Sequence, residues 1–472
     1  FAADACMTTM CSAIGRCAAL ALLAATASAL SCSQRRESPA LPLDDGANYS
    51  LGSPASDWAP GTLPGRYGEA LDFSGAVLDA PVPAFAHRTA LHRKNATARR
   101  RLAGGAATKA EQGLTPLFMG IGTHYAHVYV GTPPQRVSVI VDTGSHHTAF
   151  PCSGCKSCGK HTDPYFDPDK SSTLRRLGCS DCVAAARCVT KTCQVSQSYT
   201  EGSSWKAVQM KDAYYVGGTS LTEKASRDGS AWIATPFVFG CQTYETGLFR
   251  TQKADGIMGM SMHAQTLVPT MRSANALGHN SFSLCFMHGG GTMALGGVDE
   301  RIHAKPMDFV PLAKNSGWFT VKMLDILVDG KSIGVPASTY ATGKGTIVDS
   351  GTTDTYLPRR AADQFKRAWS NVMGSSPKYA NTKIAYTAAQ AAKLPTITFV
   401  FEGDVRVDMK ADAYMEKAAG KYVPRVYLTE ASGAVLGANF MQDHDVFFDA
   451  EHRRIGFATA NCDYNHQSNR SR

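Results

Sequence analysis

The chain has 472 residues, of which 44% are hydrophobic and 18% are charged, a composition that excludes an intrinsically disordered or fibrous protein. A chain of this length is expected to form two domains or one large bilobal unit. The formal net charge is +9, but seven cations lie in an acid-free stretch from 88 to 109, and the rest of the chain is close to balanced. This charge pattern does not support a broad nucleic-acid-binding face, and we predict no nucleic-acid partner.

The first 30 residues have the pattern of a secretory signal peptide. An apolar run from Cys17 to Leu30 follows Arg16 and contains Ala27-Ser28-Ala29, the small-x-small pattern that a signal peptidase cleaves. The run is shorter than the roughly 20 residues that a membrane span needs, and a buried core helix is the alternative. We predict a protein of the endoplasmic reticulum or Golgi, or a secreted or vacuolar one, with no membrane span apart from this leader.

Residues 31–115 are predicted to form a propeptide. The segment is rich in Pro, Gly, Ala and Ser and has few apolar runs, so we expect it to be disordered and to end in the basic stretch. Within that stretch, Arg99-Arg100-Arg101-Leu102 is a candidate site for a basic-specific processing protease. A solvated basic linker is the alternative.

Four of the 14 cysteines lie in or beside the leader, the last of them at position 32, and ten remain. Seven of these ten crowd into residues 152–193, here called the Cys-rich insertion. Their Cys-x-x-Cys spacings suit either disulfides or a zinc site. An even total in an oxidising compartment favours disulfides, so we predict no metal and no cofactor. Because seven is odd, at least one cysteine of the insertion must bond outside it or stay free. The disulfide candidates are Cys152, Cys155, Cys158, Cys179, Cys182, Cys188, Cys193, Cys241, Cys285 and Cys462.

After Leu117 the sequence predicts a mainly β fold. Short runs of β-branched and aromatic residues are separated by Gly and Pro, as is typical of many short strands joined by turns. The best helix candidate is Arg360 to Met373. The clearest predicted strands cover 125–130, 136–141, 232–240, 319–328, 346–348, 397–401 and 446–448.

An internal repeat is the most informative feature of the sequence. The segment Val139-Ile-Val-Asp-Thr-Gly-Ser145 is echoed by Thr346-Ile-Val-Asp-Ser-Gly-Thr352. Each copy is followed further along by an apolar-Gly signal, at 255–259 and at 435–437. Each half of the chain therefore carries one Asp in the same local setting, as a pseudo-symmetric pair of carboxylates requires.

The repeated Asp142 and Asp349 are the predicted catalytic pair. Two carboxylates a few ångströms apart cannot both ionise easily, so they share one proton. The ionised carboxylate takes a proton from a water that attacks a peptide carbonyl, while the protonated one polarises that carbonyl. Gly allows a tight turn after each Asp, and neighbouring hydroxyls can donate hydrogen bonds to each carboxylate. The residues predicted to support the pair are Thr143, Gly144, Ser145, Ser350, Gly351 and Thr352.

From Leu117 to Cys462 the sequence resembles the pepsin-like aspartic proteases. The matching segments are the strand and turn at 129–135, the flap hairpin at 197–203 and the carboxyl-terminal segment at 435–458. The resemblance implies a bilobal fold of two pseudo-symmetric β-barrel-like lobes, at 116–310 and 311–462, with a cleft between them and a polar tail at 463–472. It also implies that Tyr199 of the flap closes over substrate and that Gly202 makes the flap mobile.

Within this family, the Cys-rich insertion and Glu201 are most similar to the plasmepsin V-like branch, which has a nepenthesin-type insertion. That resemblance implies cleavage of exported proteins after Leu in Arg-x-Leu motifs. An Arg side chain in a partly desolvated cleft needs a paired acid, so Glu201 is its candidate partner and Gln252 is a second, weaker candidate for the same role. A solvent-facing Glu201 is the alternative. Two positions depart from the pattern, because Ala149 replaces a Trp that holds the flap Tyr in many pepsins and Thr200 replaces a flap Cys.

The sequence therefore predicts a monomeric aspartic endopeptidase that acts on protein or peptide substrates. Three alternatives stay open: a general acid protease of the vacuole, lysosome or exterior, an inactive pepsin-fold binding protein, and a Cys-rich zinc-binding or adhesion module. The intact Asp pair and flap Tyr argue against the binding protein. The internal repeat argues against the Cys-rich module, and only substrate preference separates the two kinds of protease.

Overall fold

The computed structural model describes residues 113–120, 122–216, 233–313 and 316–463, all of which belong to one compact unit. The predicted signal peptide, the basic stretch and its processing site, and the leader cysteines lie outside the described residues. So do residues 31–112 of the predicted propeptide and residues 464–472 of the predicted tail. The first strand begins at Gly113, three residues before the predicted start of the first lobe at 116.

Strands dominate the described chain, and the prediction of a mainly β fold is confirmed. The 15 strands of the largest sheet are β1 (Gly113–Met119), β2 (His124–Val130), β3 (Gln135–Asp142), β4 (Thr148–Pro151), β5 (Arg175–Arg176), β6 (Arg187–Val189), β7 (Thr192–Ser198), β8 (Ser204–Val216), β9 (Ile233–Glu245), β10 (Gly256–Gly259), β11 (Ser281–Met287), β12 (Gly290–Leu295), β13 (Asp308–Pro311), β25 (His444–Asp449) and β26 (Arg454–Thr459). Its order is β13-β26-β25-β11-β12-β1-β2-β3-β10-β4-β9-β8-β7-β6, with β5 paired to β8.

Three smaller sheets are built from the second half of the chain. Their strands are β14 (Thr320–Val321), β15 (Met323–Val328), β16 (Lys331–Ser332), β17 (Thr346–Val348), β18 (Thr355–Pro358), β19 (Ile397–Phe401), β20 (Val405–Met409), β21 (Met415–Ala418), β22 (Lys421–Pro424), β23 (Val426–Glu430) and β24 (Ala434–Leu436). The orders are β14-β17-β24-β18-β23, β16-β15-β19-β20 and β21-β22.

The internal repeat of the sequence is a repeat of topology. The order β3-β10-β4-β9 in the first half is matched by β17-β24-β18-β23 in the second. In each half, the strand that leads to the Asp pairs in parallel with the strand of the apolar-Gly signal, as β3 with β10 and β17 with β24. The next pairing is antiparallel and the last is parallel in both halves. Equivalent strand ends therefore carry Asp142 and Asp349.

Helices are few and short among the described residues. They are α1 (Leu267–Ser273), α2 (Ala362–Met373), α3 (Ala388–Ala391) and α4 (Ala411–Tyr414). In α2 the buried Phe365, Trp369 and Met373 recur every four residues and form one apolar face. The helix ends at Met373 and is followed by Gly374, whose φ of +85° is positive, a conformation that glycine adopts without strain. None of the helices in the described ranges is long and apolar enough to span a membrane.

One large apolar core runs through both halves, and two smaller apolar clusters lie near the repeated motifs. The first small cluster includes Tyr199, Trp205 and Phe249, and the second consists of Ile347, Tyr356, Tyr427 and Val435. Trp318 packs against both of them, and its indole N–H donates to the carbonyl of Gly144 at 3.0 Å. The two halves are thus joined by packing next to the first catalytic motif.

Candidate active site

Buried strands lead to the two carboxylates that the sequence predicts to be catalytic. Six consecutive residues of β3, ending at Asp142, are buried, and β17 is buried throughout before Asp349 follows it. Such continuous apolar runs fit strands that are covered on both faces. Both Asp side chains belong to residues that are only 1% exposed. The described fold thus brings the two predicted Asp residues together in a buried site.

Each carboxylate is held by its own turn in the same way. The N–H of Gly144 donates to Asp142 Oδ1 at 2.8 Å, and the hydroxyl of Ser145 donates to Asp142 Oδ2. The N–H of Gly351 donates to Asp349 Oδ1 at 3.0 Å, and the hydroxyl of Thr352 donates to Asp349 Oδ2 at 2.7 Å. Two donors fix the plane of each carboxylate, so the pair is preorganised.

Glycine after each Asp is required by the opposite half of the protein. A Cβ atom on Gly144 would lie 2.6 Å from Asp349 Cγ, and a Cβ on Gly351 would overlap the carboxylate of Asp142. Any larger residue at either position would therefore push the two carboxylates apart. Glycine is therefore needed at both positions for two reasons: it allows the tight turn after each Asp, and it has no Cβ atom to clash with the opposite carboxylate.

Thr143 and Ser350, the residues directly after the two Asp residues, hydrogen-bond the two halves of the chain to each other. The N–H of Thr143 donates to Ser350 Oγ at 3.0 Å, and the N–H of Ser350 donates to Thr143 Oγ1 at 2.9 Å. Each hydroxyl also donates onward, Thr143 to the carbonyl of Val348 at 2.9 Å and Ser350 to the carbonyl of Val141 at 2.7 Å. These four buried hydrogen bonds fix the position of one catalytic loop relative to the other.

Burial raises the pKa of both carboxyl groups of the pair. Burial and the negative charge of Asp349 raise the pKa of Asp142 well above its ordinary value, although Ser145 and Gly144 oppose the shift. Burial also raises the pKa of Asp349, against hydrogen bonds from Thr352 and Gly351. A buried pair of this kind holds one proton over a wide pH range, because double ionisation would place two like charges side by side.

The flap is the hairpin of β7 and β8, with residues 199–203 as its turn. The N–H of Tyr199 donates to the carbonyl of Ser203 at 2.9 Å, and Gly202 takes a φ of +98° that the turn requires. Tyr199 is only 3% exposed and is hydrogen-bonded to Ser145 of the first catalytic motif. Burial, together with the charges of Asp142 and Glu201, raises the pKa of its hydroxyl. The flap Tyr therefore lies directly beside the dyad.

Trp205 is a functional residue that sequence reasoning missed. Its indole N–H donates to the hydroxyl of Tyr199 at 3.1 Å, which is the contact that the pepsin pattern assigns to a Trp at position 149. Here Ala149 is fully buried, and the indole comes from the returning strand of the flap instead. The available signal was a Trp six residues after the flap Tyr, at the start of the returning strand of the hairpin.

The two predicted specificity residues lie at the flap turn and behind it. Glu201 is half-buried, and one of its carboxylate oxygens accepts the N–H of Ser203 at 3.2 Å. Gln252 follows the 3₁₀ helix Gly247–Arg250 and is buried, with its backbone N–H donating to Leu248 at 2.8 Å. The side-chain amide nitrogen of Gln252 has no hydrogen-bond partner among the described residues, which leaves a buried donor near the flap.

All ten cysteines of the described residues form disulfides. The five pairs are Cys152–Cys241, Cys155–Cys158, Cys179–Cys188, Cys182–Cys193 and Cys285–Cys462. The sequence left two possibilities for the odd cysteine of the insertion, and the structure has the first of them, because Cys152 bonds outside the insertion to Cys241 of β9. Paired cysteines have no thiolate to offer a metal, and the described residues contain no group of three or more potential side-chain ligands suited to a metal ion.

A mainly β fold with two equivalent Asp-bearing loops and a flap Tyr defines a pepsin-like aspartic peptidase. The chain belongs to the eukaryotic aspartyl protease family, whose model matches residues 123–460.

Individual relatives include Aspartic protease 5 of Toxoplasma gondii, which is 29% identical over 366 residues, or 72% of this chain and 36% of that protein. Aspartic proteinase nepenthesin-2 of Nepenthes gracilis is 26% identical over 74% of this chain and 80% of its own length. Plasmepsin V of Plasmodium falciparum is 32% identical over 37% of this chain and 30% of its own length. The matched region thus spans about a third of the Toxoplasma and Plasmodium proteins but most of nepenthesin-2.

Proposed function

We propose that the protein is an aspartic endopeptidase that processes proteins of the secretory pathway by cutting after Leu in Arg-x-Leu motifs. The observation that carries the peptidase assignment is the buried Asp pair, each carboxylate held by its own turn, with Tyr199 beside it. In this reaction the ionised carboxylate removes a proton from the attacking water, and the protonated one donates a hydrogen bond to the peptide carbonyl. The turn donors that hold both carboxylates supply the preorganisation that such a step needs.

Specificity for Arg is assigned to Glu201. Its carboxylate lies two residues from Tyr199, is half-buried, and is close enough to Tyr199 to raise the pKa of the hydroxyl. A guanidinium that enters this partly desolvated space would donate a charge-assisted hydrogen bond to the Glu201 carboxylate. The buried side-chain donor of Gln252 is the second proposed contact, to a carbonyl of the substrate.

The secretory location is supported by the cysteines. Five disulfides in one chain form and persist in an oxidising compartment. The predicted signal peptide points the same way. We propose folded proteins and peptides of that compartment as the substrates.

The test compares a peptide that contains Arg-Leu-Leu with a copy in which Arg is replaced by Ala, using oxidised protein and Asp142→Ala as the inactive control. We expect cleavage after the second Leu, the Leu of the Arg-x-Leu motif, and we expect this cleavage to require the Arg. Glu201→Gln should lower kcat/KM for the Arg peptide by about 10- to 100-fold, the loss expected when a charged hydrogen bond is removed, and should leave the Ala peptide unaffected. Glu402→Gln, at an exposed Glu paired with Lys322, is the matched control.

Other outcomes contradict parts of the proposal. Equal cleavage of both peptides that is strongest at low pH would mean a general acid protease. If fully oxidised protein, free of its propeptide, cleaves neither peptide nor an unfolded protein, the chain is a binding protein with a pepsin fold.

A further inference from the structure

A buried pair of a histidine and a glutamate lies close to the flap, outside the Asp dyad. His161 Nε2 is 3.2 Å from Glu245 Oε2, and both side chains are fully buried. Two charges are costly to bury unless they are paired and hydrogen-bonded, so a pair of this kind needs a structural or functional reason. The peptidase mechanism does not use either residue.

The pair fastens the Cys-rich insertion to the end of β9. His161 lies three residues after Cys158, and the N–H of Gly159 also donates to Glu245 Oε2 at 3.2 Å. The hydroxyl of Tyr165 donates to the carbonyl of Gly159, and the N–H of Thr162 donates to the carbonyl of Lys253 at 3.2 Å. One loop of the insertion is therefore held along the chain from Glu245 to Lys253.

Glu245 in turn lies at the base of the flap. It is the last residue of β9 and stands opposite Trp205 in the β8–β9 pairing. Trp205 holds the hydroxyl of Tyr199, and the ring of Phe249 lies 5.2 Å from the Tyr199 ring. The N–H of Leu248 donates to Ser203 Oγ at 2.8 Å, which ties the same chain segment to the flap turn.

We propose that His161 and Glu245 are positioning residues for peptide hydrolysis. By holding the end of β9, the pair fixes both Trp205 and the segment that carries Phe249, and these two contacts set the place of Tyr199 over the dyad. The Cys-rich insertion thereby acts as a brace for the flap. This inference rests on the proposed peptidase activity, but it does not depend on Arg-x-Leu specificity.

The charges around the pair give the brace a pH dependence. Burial alone would lower the pKa of His161, but the hydrogen bond and charge of Glu245, the charge of Asp255 and the carbonyl of Gln252 raise it above the ordinary value. The titratable groups in or beside this loop also include Tyr165, whose ring centroid lies 6.3 Å from that of His161, and the cations Arg250 and Lys253. Asp163 of the same loop is paired with Arg136 at 2.7 Å. A raised His pKa means that the pair contributes fully below the ordinary His pKa and is lost as the pH rises through the raised value.

The test uses full-length His161→Gln, Glu245→Gln and the double variant. His279→Gln is the matched control, because His279 forms an exposed pair with Glu451 at 3.6 Å. We measure kcat and KM for a peptide that the wild-type enzyme cleaves, from about pH 5 to about pH 9. Amide hydrogen exchange of residues 197–206 is followed in the same variants and in an Asp142→Asn background, where no activity is needed.

We expect roughly tenfold lower kcat/KM in each single variant at acidic pH, the equivalent of one charged hydrogen bond, with a raised KM and faster exchange in the flap. The difference in kcat/KM between the wild type and each single variant should become smaller toward alkaline pH, where the wild-type His161 also loses its proton. The double variant should lose no more than the worse single variant, because both residues act through one contact. A merely destabilised fold would lower the active fraction and leave KM unchanged.

An unchanged KM together with unchanged flap exchange in a folded His161→Gln protein would overturn the proposal. If the variants do not fold, the wild-type protein still tests the proposal. Its amide exchange in the flap, corrected for the intrinsic effect of pH on exchange, must become faster at alkaline pH. A corrected exchange rate that does not change with pH would contradict the brace. Failure of the wild-type enzyme to cleave any peptide would instead refute the proposed function, while the exchange measurement would still test the brace.

Discussion

The position of Tyr199 depends on a hydrogen bond from Trp205, which lies in the flap and not at position 149. Ala149 lies against Gly240 and Ala207 so closely that a Cβ on Gly240 would come within 3.1 Å of the Ala149 Cβ and 2.9 Å of the Ala207 Cβ. A Trp at 149 has no room beside these neighbours. Trp205, two strands away in the sheet order, reaches the same hydroxyl from the flap itself. The hydrogen bond to the flap Tyr is therefore present in this protein, but Trp205 makes it instead of a Trp at position 149.

Trp205→Phe tests this contact, because the change removes the N–H donor and keeps an aromatic ring. We expect about fivefold lower kcat/KM, which corresponds to the loss of one hydrogen bond worth ~1 kcal/mol. Trp369→Phe in α2 is the matched control, since Trp369 is equally buried but belongs to the distant core. An equal loss of activity in both variants would show that Trp205 contributes only to packing.

The raised pKa values of the dyad also predict its effect on stability. A carboxyl whose folded pKa is raised favours the folded state at low pH, and this contribution falls as the pH rises through the ordinary carboxyl pKa toward the folded one. Removing the charge should therefore stabilise the protein at neutral pH. We expect Asp142→Asn to be inactive and to melt a few degrees above wild type at neutral pH, with a smaller difference at acidic pH. Melting temperatures at both pH values check this, and a uniformly lower one would contradict it.

At the scale of elements, short apolar runs predicted strands well but could not predict which sheet they join. The strands predicted at 346–348 and 397–401 have the observed bounds. The run at 319–328 is instead split, because Thr320–Val321 pairs with β17 while Met323–Val328 pairs with β19. The chain passes from one sheet to the other at Lys322, and no local pattern marks such a step. The helix predicted at 360–373 begins at 362, after a turn of 3₁₀ helix.

Disulfide pairing also required the fold. Spacing alone left the connectivity open, and only the parallel pairing of β4 with β9 brings Cys152 beside Cys241, 89 residues away. In the same way, Cys285 of β11 can pair with Cys462 only because the fold brings β11 close to the segment that follows β26. Pairs within the insertion close short loops, whereas these two close long ones.

Loop length predicts how much each disulfide stabilises the protein. Chain entropy gives ~5 kcal/mol for Cys285–Cys462, which closes 177 residues, and ~2.6 kcal/mol for Cys179–Cys188, which closes 9. We expect the double Cys→Ala variant of the first pair to lower the free energy of unfolding about twice as much as that of the second. Denaturant unfolding checks the ratio, and a free-thiol count confirms that the remaining pairs have formed. Equal losses would mean that local packing, not loop closure, dominates.

At the scale of the whole molecule, the repeat allowed the dyad to be predicted but not its surroundings. The chemistry of two carboxylates needs a short local motif, and that motif occurs twice in the sequence. The contact of His161 with Glu245 joins residues 84 positions apart, and neither lies in a recognisable pattern. Such residues become functional candidates only when the fold has placed them at the base of the flap.

The two halves are coupled most directly through Thr143 and Ser350, which are 207 residues apart and exchange hydrogen bonds in both directions. Thr143→Val keeps the shape of the side chain but leaves the Ser350 N–H and the Val348 carbonyl without a buried partner. We expect it to lower the free energy of unfolding by ~1–3 kcal/mol and to lower kcat further, because the loops that carry the carboxylates lose their mutual alignment.

The matched control is Thr235→Val, because the Thr235 hydroxyl is buried and has no hydrogen-bond partner among the described residues. That change should be neutral or slightly stabilising. Ser350→Ala and the double variant complete a cycle in which the two single losses should not add, with a coupling of ~0.5–3 kcal/mol. Urea unfolding and kcat measure the two effects separately. Additive losses would mean that each hydroxyl supports only its own loop, and the halves would then be aligned by the packing of Trp318 and the shared core instead.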